Sequence, residues 1–162
     1  MPKETQPELK EKESRNLKKE EPNFALIMRG LPGSGKSTFV SFLSSLVASS
    51  VHAVDDLHTG NDGSFYWDES LSESRYYLNY SNFIQSCHRG DKLVICDCIN
   101  LDRSSVDKYV SAAKSFGYFV YVVTPDQPSV LESSIRNLHD VSADQAKSML
   151  SSWEDWPDKS LF

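Results

Sequence analysis

"ALIMRGLPGSGKSTFV", residues 25–40, joins an apolar run, a glycine-rich turn and the start of a helical pattern. Inside it, "GLPGSGKS" puts Gly30, Gly35, Lys36 and Ser37 at the fixed places of the phosphate-loop pattern. The glycines let successive backbone N–H groups converge on an anion, which then sits at a helix N-terminus. Lys36 supplies a point charge toward the β- and γ-phosphates, the Ser37 hydroxyl can ligate Mg²⁺, and Thr38 can assist. The stretch therefore nominates Gly30, Pro32, Gly33, Ser34, Gly35, Lys36, Ser37 and Thr38 as the cradle for the tail of a nucleoside triphosphate, with ATP and Mg²⁺ as the implied cofactors. Its position, after an apolar strand and before an amphipathic helix, is the context that the motif requires.

Outward from the turn, short apolar runs alternate with longer helical patterns, the order of a parallel sheet covered by helices. Strands are expected at Phe24 to Arg29, Val51 to Val54, Leu93 to Asp97 and Tyr118 to Thr124. Val40, Leu43, Leu46 and Val47 recur at three- and four-residue steps and predict one buried stripe on the first helix. Ser70 with Glu73 reads as a capping box opening a helix to about His88, with Gly90 as its stop. In "DRSSVDKYVSAAKSFGY", Val106, Val110 and Ala113 face inward before Gly117. Pro128 suits the first turn of a further helix. In "VSADQAKSMLSSWEDWP", Ser142 and Gln145 form a capping box, and Ala146, Met149, Leu150 and Trp153 share a face. "NDGSF", residues 61–65, signals a loop. The fold expected is α/β: a phosphate-loop NTPase or kinase-like parallel sheet sandwiched between helices, with a helical lid.

The 162 residues suit one domain. Residues 1–22 hold six Lys/Arg and six Asp/Glu with few aliphatics, so they read as a disordered charged arm, leaving residues 23–162 as the domain. All of the net charge of −6 falls on that domain, which argues against broad nucleic-acid affinity but leaves room for a local basic cleft. No run approaches the roughly 18 apolar residues of a membrane span, and the charged start lacks a secretory signal's apolar centre. The expectation is an intracellular protein, cytoplasmic or nuclear, with no membrane partner. Cys87, Cys96 and Cys98 lack zinc or disulfide spacing and read as reduced, with Cys96 and Cys98 as small hydrophobes on one face of a buried strand.

Residues leaving the C-terminal ends of parallel strands line the ligand crevice. Asp55 and Asp56, in "AVDDLH", are placed to face the γ-phosphate, where one carboxylate could take a proton from an attacking hydroxyl; the pair equally fits a cap for the next turn. Asp97, ending the third strand, can hold Mg²⁺ together with Ser37, directly or through water. Arg136 lies between two predicted helices, where a lid would close a guanidinium onto the transferring group; a plain surface arginine is the alternative. His58 and His139 receive no role.

Taken together, "GLPGSGKST", "VDD", "VICDCINL", "AAKSFGYFVYVV" and "SIRNLHDVSADQAKSML" resemble the polynucleotide-kinase-like phosphate-loop family. That family includes the 5′-hydroxyl kinase domain of phage polynucleotide kinase, the animal Nedd-four-binding-protein-two-like group and the N-terminal domain of myelin cyclic-nucleotide phosphodiesterase. The likeness covers about residues 23 to 155. It implies ATP- and Mg²⁺-dependent phosphoryl transfer to a hydroxyl, in the phage enzyme the 5′ end of DNA or RNA. It also implies Asp55 as general base, Asp97 and Asn100 on the family's strand-end motif, and Arg136 as the first lid arginine. Cys98 and Ile99 stand where a small residue and a threonine are usual. His58 and Asp140 stand where the phage enzyme has arginines, a loss that would lower the rate, change the acceptor or leave nucleotide binding alone.

Three functions follow. The first is a P-loop kinase with Asp55, Lys36 and Arg136 as catalytic residues, acting on a 5′-hydroxyl DNA or RNA end. The second is a small-molecule kinase of the same architecture, acting on a small hydroxyl acceptor. The third is a nucleotide-gated module read by a protein partner, which the missing arginines favour. A Ras-type GTPase is disfavoured, because no Asn-Lys-x-Asp element is present.

Overall fold

The computed structural model describes residues 21–157. The arm assigned to residues 1–22 therefore lies outside the described residues except for Glu21 and Pro22, as does the domain's end at 158–162. Four parallel strands, β1 (Phe24–Met28), β2 (Ser50–His52), β3 (Leu93–Cys96) and β4 (Phe119–Val123), form a sheet in the order β2-β3-β1-β4. Its register pairs Ala25 with both Val94 and Val120, and Ile27 with both Cys96 and Val122. The helices are α1 (Lys36–Leu46), α2 (Glu69–Arg89), α3 (Arg103–Ser115), α4 (Val130–Arg136) and α5 (Ala143–Ser151). The α/β architecture expected from the alternating pattern is the one observed. Among the described residues, no helix is long and apolar enough to cross a membrane.

The period-2 alternation of the strands divides the core in two. Ala25, Ile27, Val94 and Cys96 point toward α2 and α3, where Phe83, Val106, Tyr109 and Ala113 close over them. Phe83 and Tyr109 meet edge to face at 5.0 Å. Met28, Leu93 and Ile95 point the other way onto Val40 of α1, with Leu26 and Leu43 half-buried beside them. This second layer is thinner. Leu46 and Val47, expected in the buried stripe, are exposed, and so are Phe24, Phe119 and Tyr121 on the β1–β4 side. Val40 and Leu43 keep the helical period, but α1 ends at Leu46 with Val47 already extended, and a single helix is too narrow to cover that face.

Three local expectations are corrected by cap geometry. Asp68, not a Ser70–Glu73 box, caps α2: its carboxylate accepts from the Ser70 N–H, which starts the helix two residues earlier. Pro128 precedes the N-cap Ser129 instead of entering α4, because Ser129 and Glu132 make a reciprocal box that fixes the start. β2 ends at His52, since Val54 is already in helical geometry at the head of a 3₁₀ turn, Asp55–His58. The Ser142–Gln145 box on α5 is present. Cys87, Cys96 and Cys98 are free and buried, although Cys98 lies just past β3.

Arg29, directly after β1, is 1% exposed. Its guanidinium donates to the carbonyls of Asn100, Leu101 and Glu154 and lies 4.1 Å from the Trp153 ring centroid. One cation thus ties the end of β1, the loop after β3 and the segment after α5 into one rim beneath the site.

Candidate functional site: a phosphate loop facing an aromatic wall

The loop after β1 is held from several sides. Gly30 N–H donates to Ile99 O, Leu31 N–H to Gln127 Oε1, and the Ser133 hydroxyl of α4 to Pro32 O. Gly35, at φ +89°, is the N-cap of α1 and turns the loop into the helix. Gly33, at φ +74°, lies so close to α4 that a Cβ would come 3.0 Å from Arg136 Cβ and 3.3 Å from the Asn137 nitrogen. Only glycine meets both constraints.

Lys36 is 8% exposed and its Nζ donates to Gly30 O at 2.8 Å and Leu31 O at 3.0 Å. Burial lowers its pKa, and the carboxylates of Asp97 and Asp55 partly offset this. Asp97 is buried just past β3, with Oδ1 lacking any hydrogen-bond partner. Burial raises its pKa, opposed by the Ser37 hydroxyl and the Lys36 charge. An orphaned carboxylate oxygen beside a hydroxyl is a hard-oxygen donor set that fits Mg²⁺, whose other ligands come from water and phosphate. Among the described residues, no three His, Cys, Asp or Glu side chains cluster into an all-protein metal site.

Asp55, Lys36, Ser37, Asp97 and Arg136 line one cleft of about 730 Å³ together with Pro32, Gly33, Gly35 and Thr38. Gly30 and Ser34 are not on its wall. Gly30 instead lies where a Cβ would strike the Ser34 hydroxyl and Gln127, so the two pack within the loop. Of the aspartate pair, Asp55 lines the cleft and Asp56 does not. Neither caps the 3₁₀ turn with its side chain. Burial, reinforced by the Asp55 charge, raises the pKa of Asp56. Asp97 does not cap α3 either, because Asp102 does. Arg136, the last residue of α4, is exposed and paired with Glu132 at 2.8 Å.

Several lining residues carried no motif. Asn137 shapes the turn after α4: its amide nitrogen donates to Ser133, Ser134 and Val141 carbonyls, and its Oδ1 accepts from the His139 and Val141 N–H groups. That turn carries His139 to 3.3 Å between its Nε2 and Asp55 Oδ2. The His139 ring also lies 4.1 Å from that of Phe65. Phe65, Trp67 and Tyr76 complete the wall. The loop signal at residues 61–65 marks the turn but carries no sign that Phe65 within it and Trp67 after it face the cleft. Asn100, expected on the strand-end motif, is buried at φ +49° and donates to Met28 O, which makes it a brace between β3 and β1.

A family model described as "AAA domain" matches residues 26–155. Among solved structures, the chain is similar to a gluconokinase from Sinorhizobium meliloti 1021 at 17% identity, over 84% of this chain and 78% of that one, with a TM-score of 0.59. It is also similar to a chain of the Pnkp1/Rnl/Hen1 RNA repair complex at 18% identity, over 80% of this chain and 43% of that one, with a TM-score of 0.62. Chaetomium thermophilum Kti12 in complex with ADP-AlF3 matches at 16% identity, over 81% and 80% of the two chains, with a TM-score of 0.52. At these identities the likeness is one of fold, a P-loop kinase-like one.

Proposed function

The chain belongs to the AAA domain family, and on that premise we propose that it is an ATP- and Mg²⁺-dependent phosphotransferase of the polynucleotide 5′-hydroxyl kinase type. The observation that carries the proposal is one cleft holding a lysine-bearing phosphate loop at one end and a half-exposed carboxylate, Asp55, across from it. The backbone amides of the loop would bind the triphosphate, and Lys36 would exchange its two carbonyl partners for phosphate oxygens. Bound between Ser37 and Asp97, Mg²⁺ would supply charge neutralisation on the β- and γ-phosphates. An acceptor hydroxyl oxygen attacks the γ-phosphorus while the bond to the β,γ-bridging oxygen breaks. The hydroxyl proton goes to Asp55, and ADP leaves. Arg136 would leave Glu132, an exposed pair of low cost to break, and close over the spread charge.

Two further readings use the same cleft. A small-molecule kinase would use the same parts with a small hydroxyl acceptor. A nucleotide-gated module for a protein partner is favoured by one contact, the 3.3 Å approach of His139 Nε2 to Asp55 Oδ2, which occupies one oxygen of the proposed base.

Incubation with γ-labelled ATP, Mg²⁺ and 5′-hydroxyl oligonucleotides, in parallel with small polyols, separates the three. Label on the oligonucleotide is the expected result. Label on a polyol alone would move the assignment to a small-molecule kinase. Nucleotide binding without any transfer would leave the module.

A further inference from the structure

His58 stands where the resemblance expects a phosphate-side arginine, and the fold gives it another use. It is 2% exposed and its Nε2 is buried without a hydrogen-bond partner, so it cannot reach a phosphate in the cleft. Its ring instead stacks on Trp67, with centroids 4.3 Å apart and planes 16° from parallel. The Trp67 indole N–H donates to Glu69 Oε2 at 2.7 Å. Trp67 is therefore fixed on one face and at its polar edge, yet it remains 48% exposed and lines the cleft. Phe65 and His139 continue the row of rings to Asp55. The lining of the cleft is net acidic, with carboxylates at Asp55, Glu69, Asp97 and Asp140 against Lys36 on the loop and Arg136 at the lid; Arg75, which meets His58 Nδ1, is not part of that lining.

We propose that this wall holds a nucleobase of the acceptor, stacked on the open face of Trp67, and that the acceptor is gripped by its base and not by its phosphates; this rests on the phosphotransferase reading of the same cleft. A stacking platform needs a rigid ring with one free face, and His58 and Glu69 provide the rigidity. Replacing an arginine by His58 exchanges an electrostatic hold for a planar one.

The test is binding, read without turnover from quenching of 2-aminopurine emission and by competition. The probes are 2-aminopurine riboside, a short 5′-hydroxyl oligonucleotide with 2-aminopurine at its 5′ end, and the same oligonucleotide with an abasic 5′ residue. Riboside and base-bearing oligonucleotide are expected to bind within about threefold of each other, and the abasic one about tenfold more weakly. Raising salt from about 50 to 200 mM should weaken the oligonucleotide by less than about threefold, because few phosphates are neutralised. Trp67→Ala should lose about tenfold on both base-bearing probes, nothing on the abasic one, and nothing on ATP. Trp67→Phe, which keeps an aromatic face and guards against a folding defect, should retain most of the affinity. Tight riboside binding without the oligonucleotide would mark a nucleoside acceptor and uphold the stacking site. Equal affinity for base-bearing and abasic probes, discrimination that survives Trp67→Ala, a steep salt dependence, or no binding of any probe would each overturn the inference. Stacking without phosphoryl transfer would sink the kinase reading and leave this site; transfer without base discrimination would do the reverse.

Discussion

The two ends proposed for the cleft, one for phosphate and one for the acceptor, are built differently. The phosphate end is continuous in sequence: residues 30–38 carry the amides, the lysine and the hydroxyl, set between β1 and α1 and braced from outside by Ile99, Gln127 and Ser133. The acceptor end is assembled from distant segments: Asp55 from the turn after β2, Phe65 and Trp67 from the following loop, Tyr76 from α2, and His139 from the turn after α4. A site made of consecutive backbone depends on local geometry; a site made of distant side chains depends on every element that positions them. The first should tolerate change elsewhere in the fold. The second should respond to changes well away from the chemistry.

The largest effect, and the one most able to break this contrast, is expected at Asp55. Asp55→Asn should lower kcat by about 10²–10⁴-fold with ATP affinity kept, since a general base contributes on that order. A variant as fast as the parent in single-turnover labelling would falsify the assignment. Lys36→Ala should cost about 10²–10³-fold in kcat, the scale of one lost transition-state donor, with the fold intact by circular dichroism. Undiminished transfer by that variant would remove the phosphate end from the mechanism.

Asn137→Ala sharpens the comparison because the Asn137 side chain holds the turn that carries His139 to Asp55. Loss of its hydrogen bonds to the turn should destabilise the protein by about 1–3 kcal/mol and raise acceptor KM, while nucleotide Kd stays put. Equal changes in both constants would mean that the two ends are not separable.

The smallest effect is at Asp97. Its pKa is raised in the folded chain, so its contribution to stability is fully present below the unfolded carboxylate value and is lost as pH rises through the folded one. Asp97→Asn should therefore raise the ligand-free Tm near neutral pH, by about 2–4 °C for each ~1 kcal/mol of burial cost removed in a domain of this size. The same variant should lose the extra stabilisation that Mg²⁺ with ATP confers. A lower Tm for the ligand-free variant at neutral pH would contradict the burial cost assigned to that carboxylate.

What could be read without coordinates was whatever repeats locally. The phosphate loop, the alternation of β1–β4 with helices, the inward face of α3 and the Ser142–Gln145 cap all depend on order and spacing along the chain, and each is present. Asp55 and Asp97 line one cleft, as expected where parallel strands send their C-terminal ends to one crevice. Folding decided what spacing cannot carry. It separated Asp55 from Asp56 by the direction of a 3₁₀ turn, left Leu46 and Val47 exposed beside an uncovered face, and turned Asn100 into a brace. It also brought His139, Phe65 and Trp67 to Asp55. Short-range backbone geometry is set by neighbours along the chain, so the sequence determined the loop and the element order. Contacts between residues far apart depend on the packing of whole helices against the sheet, and only the tertiary structure could place His58 beneath Trp67 and not against a phosphate.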